Sequence, residues 1–231
     1  MPVRPRVDSY RTTAGLTALA LTFLAGAQLA AQGPDTKDKL PQWEWNAYVG
    51  AAHNSPAGTF LGVIPDRDHL FLGLHLTANI LRSTRWSVGW APEIVPVLIV
   101  SDTPRSVTFT FPDEDGQPRY VFEGRGPVYG FAVAPLGVEG QFRVAPHWRA
   151  YGAGAGGVVW FTRDVPLPGA RAFNYTLEYG GGAIWEYGPK SSLRFGYKFH
   201  HLSNAYTRRQ NPGLDGNVFL VGWQHALGSR P

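Results

Sequence analysis

The segment "HLFLGLHLTANI", residues 69–80, decides how this chain folds. Leu70, Leu72, Leu74, Leu76, Ala78 and Ile80 fall on one side of a two-residue repeat, and His69, Phe71, Gly73, His75, Thr77 and Asn79 on the other. Successive side chains of a strand point to opposite faces, so a sustained period of two specifies a strand with one apolar face. The same pattern recurs in "QWEWNAYVGAA" (42–52), where Trp43, Trp45, Ala47 and Val49 oppose Glu44, Asn46 and Tyr48. In "AFNYTLEYGGGAIWEY" (172–187), Phe173, Tyr175, Leu177, Tyr179, Ala183 and Trp185 oppose Asn174, Thr176, Glu178 and Glu186. Such strands are longer than the five or six residues usual in a soluble sheet.

Extended along the chain, the pattern predicts strands at 43–52, 69–81, 85–99, 127–142, 148–161, 172–187, 192–204 and 215–226. The connectors "RST", "RVAPH" and "GPKSS" are tight, whereas those between them are long, including 100–126 with its "FPDEDGQPRY" turn. A soluble sandwich or lipocalin would bury the apolar face instead, and alternation alone does not exclude that inversion. Strict short–long alternation favours an eight-stranded antiparallel outer-membrane β-barrel with short periplasmic turns and longer extracellular loops. At eight strands the interior is filled by side chains, which excludes an open porin channel. The inward set Glu44, His69, His75, Glu178, Glu186, Arg194, Lys198 and His200 is then expected to form a paired polar network. Pro135 in the fourth strand and the glycines of "WRAYGAGAGGVVWF" leave the inward face of two strands undecided, as a bulge would. Trp43, Trp45, Trp185 and Trp223 read as interfacial girdle anchors.

Composition agrees with this class. The 231 residues carry eight Trp, ten Tyr, thirteen Phe and 28 Gly, with only 16% charged residues. With no cysteine, neither a disulfide nor a thiolate site is available. The net charge of +4 is small and scattered, so no nucleic-acid partner is indicated. Arg4, Arg6 and Arg11 precede the uncharged run "TTAGLTALALTFLAGAQLAAQG", the order of a secretory signal peptide. Residues 1–32 are therefore expected to be a signal peptide cleaved between Ala27 and Gln32, leaving 33–231 as the barrel domain; the competing reading is a membrane anchor.

The stretch "FHHLSNAYTRRQNPGLDGN" (199–217) carries the candidate chemistry. In "SLRFGYKFHHLSN" the apolar set Leu193, Phe195, Tyr197 and Phe199 continues by twos to His201 and Ser203, while Arg194, Lys198 and His200 point inward. Counting back from Phe219, Val221 and Trp223 reaches Asn217 and Asp215 on the same outer face. With both termini in the periplasm, these residues stand at the extracellular rim, at the depth of lipid ester carbonyls. A charged side chain there costs only about 0–1 kcal/mol, against about 2–4 at mid-bilayer. Ser203 needs a base to become a nucleophile, and His201 two residues earlier is placed to serve. Asp215 across the strand pair is the candidate acceptor of the other imidazole N–H. Asn204 and the backbone around Ala205 are candidates for stabilising an oxyanion, although Asn204 equally suits a loop cap.

"RFGYKFHHLSNAYTRRQNPGLDGNVFLVGW" resembles the C-terminal signature of the lipid A 3-O-deacylase (PagL) family, in which a His-x-Ser-Asn run ends one strand and an acidic residue follows an Asn-containing loop. His201, Ser203 and Asn204 match the motif; Asp215 stands where active members carry Glu. The resemblance implies a serine esterase that acts without metal or cofactor on lipid A of lipopolysaccharide in the outer leaflet, among outer-membrane lipids. The 3-O position is implied by the resemblance alone. Arg208 and Arg209 are candidates for lipopolysaccharide phosphates or for a solvated loop. Two other readings stay open: a non-catalytic structural or adhesive barrel binding through 100–126, and an esterase for another membrane lipid.

Overall fold

A computed structural model describes residues 39–227, apart from 57, 60, 103–106, 110–119 and 123–125. The expected signal peptide, and most of the 100–126 connector, lie outside the described residues. The elements are β1 (Trp43–Ala52), β2 (Arg67–Arg82), β3 (Trp86–Trp90), β4 (Glu93–Asp102), β5 (Val107–Phe109), β6 (Tyr120–Phe122), β7 (Val128–Ala145), β8 (Trp148–Val165), β9 (Arg171–Glu186), β10 (Ser191–Ser203) and β11 (Leu214–Leu227). No helix occurs among the described residues.

Antiparallel pairing runs from β1 through β11, β10, β9, β8 and β7 to β3 and β4, then to β2 and back to β1. β3 and β4 together make one stave, so the ring is an eight-stranded closed barrel. β5 and β6 pair separately as a hairpin. Each stave lies within a few residues of its expected span, with one interruption. The expected third strand is broken at Pro92, which has no N–H to donate. Flanking bonds from Ala91 N to Gly137 O (3.0 Å) and from Leu76 N to Pro92 O (3.0 Å) hold the break inside the wall. The link between β8 and β9 is shorter than expected, because both strands run on to Val165 and Arg171.

The exterior is apolar. Val49, Leu70, Leu72, Leu74, Val138, Leu177, Phe219 and Val221 are all exposed on it. Trp45 meets Trp223 edge-on at 4.9 Å and Trp148 stacks with Trp185 at 6.3 Å, at the end that carries the tight turns. A second aromatic group, Trp160, Phe173 and Tyr175, stands at the loop end. A soluble barrel has no use for such an apolar wall flanked by aromatic bands, whereas a bilayer requires one.

The interior divides into two halves. Toward the tight turns, Arg149 holds Glu44 (2.7 Å) and Glu186 (3.1 Å), Arg194 holds Glu139 (2.6 Å), and Lys198 joins Glu93 (2.7 Å) to Glu178 (2.8 Å). All eight residues expected inward are buried there or just above. Taking an ion out of water costs several kcal/mol unless it is paired, and every carboxylate named here has a cationic partner. Toward the loops the filling is apolar, with Ile64, Phe71, Leu98, Phe161, Leu167, Leu202 and Leu214 in one cluster. The register shift between Val133 and Leu136 reverses which residues face inward along β7. Without that bulge at Pro135, Glu139 would face the apolar exterior.

Candidate active site

The loop of residues 204–213 joins β10 to β11, so the ends of these strands are neighbours. Their ladder pairs His201 with Asp215, Phe199 with Asn217 and Leu193 with Trp223. All six of these side chains lie on the exterior. The His201–Asp215 rung stands eight residues from the Leu193–Trp223 rung, about 26 Å at 3.3 Å per residue. Strands tilted by roughly 40° convert this to a rise of about 20 Å, close to the height of a barrel's apolar band. The rung therefore sits at the upper edge of the apolar wall.

His201 Nδ1 and Asp215 Oδ1 are 2.6 Å apart, and Asp215 is fully buried while His201 is 8% exposed. The exterior location and the burial are reconciled by the loop of residues 53–66, which follows β1, the strand paired with β11. Thr59 Oγ1 hydrogen-bonds Asp215 Oδ2. A Cβ placed on Gly62 would lie 2.7 Å from Asp215 Cγ, so the bare Gly62 backbone closes over the carboxylate. Gly213, at φ +65°, presses similarly on the imidazole, and its Cβ would meet His201 Cε1 at 3.0 Å and Leu61 O at 2.5 Å. Val63 N donates to Pro212 O at 3.0 Å and fastens the two loops together.

Ser203 ends β10 on the same face, opposite Tyr175, and is half-buried. Among the described residues its hydroxyl makes no hydrogen bond; the bond to His201 expected from the sequence is not formed in this structure. Positions i and i+2 of a strand are about 6.6 Å apart at Cα, and hydrogen bonds of this kind often tighten only when substrate is bound. Since Nδ1 is taken by Asp215, Nε2 is the nitrogen left for Ser203. Asn204 is buried and organises the loop: Nδ2 donates to Gln210 O (2.6 Å), its N–H donates to Asn211 Oδ1 (2.8 Å), and its C=O accepts from Thr207 N (3.0 Å). Its amide oxygen is buried and makes no hydrogen bond among the described residues. Ala205 and Tyr206 follow at φ +50° and +58°, consecutive left-handed residues costing about 1–3 kcal/mol each.

The sequence did not single out Thr59 or Gly62. Thr59 carries no signal, being one threonine in an ordinary loop. "NPG" at 211–213 reads in the sequence as a turn suited to holding Asp215 in place, and the structure sets its Gly213 against His201. Arg208 and Arg209 are on the exposed part of the 204–213 loop.

Residues 114–224, covering the rung, Ser203 and the whole 204–213 loop, match the family model described as lipid A 3-O-deacylase (PagL). The chain resembles the PagL family. The crystal structure of the outer membrane enzyme PagL superposes with a TM-score of 0.53 at 13% identity, covering 77% of this chain and 97% of that one. Neisserial surface protein A (NspA) matches at 0.49 and 11% identity, covering 82% and 99%, and Ail of Yersinia pestis at 0.44 and 12%, covering 80% and 99%. No curated protein matches the chain. The superposition on PagL establishes the fold as that of an outer-membrane barrel. Within the PagL match, Asp215 is the acid of the rung and has one methylene fewer than Glu.

Proposed function

We propose that this chain is an outer-membrane serine esterase that removes an ester-linked acyl chain from lipid A, at the 3-O position, with Ser203, His201 and Asp215 as its triad. The observation that carries the reading is the 2.6 Å His201–Asp215 pair, buried on the exterior wall at the upper edge of the apolar band, with a serine next along the same face. A soluble ester would not require that placement; a lipid whose acyl chains lie along the wall does. The resemblance to PagL supplies lipid A as substrate and the 3-O position.

In this mechanism His201 Nε2 takes the Ser203 proton as Oγ attacks the ester carbonyl. Asp215 accepts the Nδ1–H, which fixes the tautomer and stabilises the imidazolium. The oxyanion faces the side-chain amide of Asn204 and the backbone at Ala205. Collapse breaks the ester C–O bond, and His201 returns its proton to the departing sugar hydroxyl. Water, deprotonated by the same imidazole, then releases the fatty acid and regenerates Ser203. No metal or cofactor enters any step. After removal of the N-terminal signal, the protein resides in the outer membrane with the site on the outer leaflet.

The test is mass spectrometry of lipid A from cells expressing the wild type or Ser203→Ala. Loss of one acyl chain with the wild type and its retention with Ser203→Ala is expected. An unaltered acyl pattern in both removes the reading.

A further inference from the structure

The loop of residues 53–66 does more than cover the rung. Thr59 Oγ1 accepts the amide protons of Leu61 (3.2 Å) and Gly62 (2.9 Å). A hydroxyl has two lone pairs and one proton; with both lone pairs directed at amides, the proton has two acceptors in reach, Gly62 O at 3.1 Å and Asp215 Oδ2, of which the carboxylate is the nearer and the stronger. Asp215 Oδ1 is the oxygen that meets His201. The carboxylate is thus held at both ends, by the imidazole on one oxygen and by an oriented hydroxyl on the other.

The turn itself is anchored independently of Asp215. Thr59 N donates to Gly62 O at 3.0 Å, Ser55 Oγ donates to Ile64 O at 2.8 Å, and Ile64 is buried in the apolar cluster inside the barrel. With Val63 N on Pro212 O, the hydroxyl is fixed relative to β11 by backbone bonds. Asp215 is fully buried and has two hydrogen-bond partners among the described residues, so it depends strongly on each of them.

We propose that Thr59 is a positioning residue for the Ser203–His201–Asp215 reaction. Its hydroxyl fixes the rotation of the Asp215 carboxylate so that Oδ1 faces His201 Nδ1. Gly62 is required beside it because any side chain there would displace the same carboxylate. This rests on the triad reading above, and deepens it by assigning the first outer loop a part in the reaction.

The experiment measures the rate at which a fluorophosphonate probe labels Ser203 in full-length protein refolded into lipid vesicles, alongside lipid A deacylation. Barrel closure is checked by heat-modifiable electrophoretic mobility. Thr59→Val, which keeps the shape and removes the hydroxyl, is expected to slow both rates about 10- to 100-fold, the scale of a small misplacement in a catalytic constellation. Thr59→Ser should run near the wild-type rate, and Gly62→Ala should behave like the valine variant. In an Asp215→Asn background, Thr59→Val should add no further loss, because the carboxylate it orients is gone. Wild-type rates for Thr59→Val overturn the proposal while leaving the esterase reading intact, and so does a full additional loss in the Asp215→Asn background. If Thr59→Val does not close its barrel, Thr59→Ser decides: slow labelling by a closed Thr59→Ser barrel overturns the proposal. Absence of labelling in the wild type removes the esterase reading itself and the proposal with it.

Discussion

Asp215 faces His201 directly across the β10–β11 ladder, on the outside of the barrel, yet it is the fully buried member of the pair. Its burial comes from two loops that fold down over the rung, not from the barrel interior. In the proposed triad this carboxylate fixes the imidazole tautomer and stabilises the imidazolium. Asp215→Asn keeps the shape but offers an N–H toward Nδ1, and is expected to lower turnover about 10⁴-fold. Steady-state deacylation by purified protein, with barrel closure checked in parallel, measures this.

Asp215→Glu, a change toward the carboxylate carried by active members of the resembled family, is expected to harm this chain. The Gly62 backbone and Thr59 already enclose the shorter side chain, so an added methylene must displace the loop at a cost of about 1–3 kcal/mol. The expected outcome is lower deacylation and faster proteolysis within residues 53–66.

Arg149 is the largest fully buried side chain among the described residues and bridges Glu44 and Glu186, the latter also held by Arg143 at 2.8 Å. Arg149→Met leaves Glu44 without its cationic partner inside the barrel, and is expected to cost about 3–5 kcal/mol. The shift of the urea midpoint for folding into vesicles reads it, while Lys190→Met in the exposed turn should leave the midpoint in place.

Phe219 is exposed on the exterior between the Trp223 and Asp215 rungs, the position expected at mid-bilayer. Phe219→Arg should cost about 2–4 kcal/mol in the same folding assay, and Trp43→Arg, at the rim, about 0–1. Equal costs at both positions would contradict the assignment of this face to lipid.

The alternation in residues 69–80, and its copies along the chain, carried the barrel, the inward network and the outer placement of His201, Ser203 and Asp215. Those features depend on parity, which a strand displays in its own sequence. Glu93, Glu139 and Arg149 were not legible, since they lie in staves where Pro92, Pro135 or runs of glycine interrupt parity, and only the actual hydrogen-bond register restores it. The apolar filling behind the loops was missed for a related reason: Ile64 and Leu167 come from connectors, whose direction no periodicity encodes. Thr59 reaches Asp215 over 156 positions of sequence, a contact that exists only once the ring has closed.

That closure has a consequence for when the protein can act. The acid stands on the final strand, its brace follows the first, and these two strands meet only at the seam that completes the cylinder. A chain still in transit across the periplasm carries the β10–β11 pair without its brace. On the proposed esterase reading, full competence arrives with insertion, in the leaflet that holds the substrate.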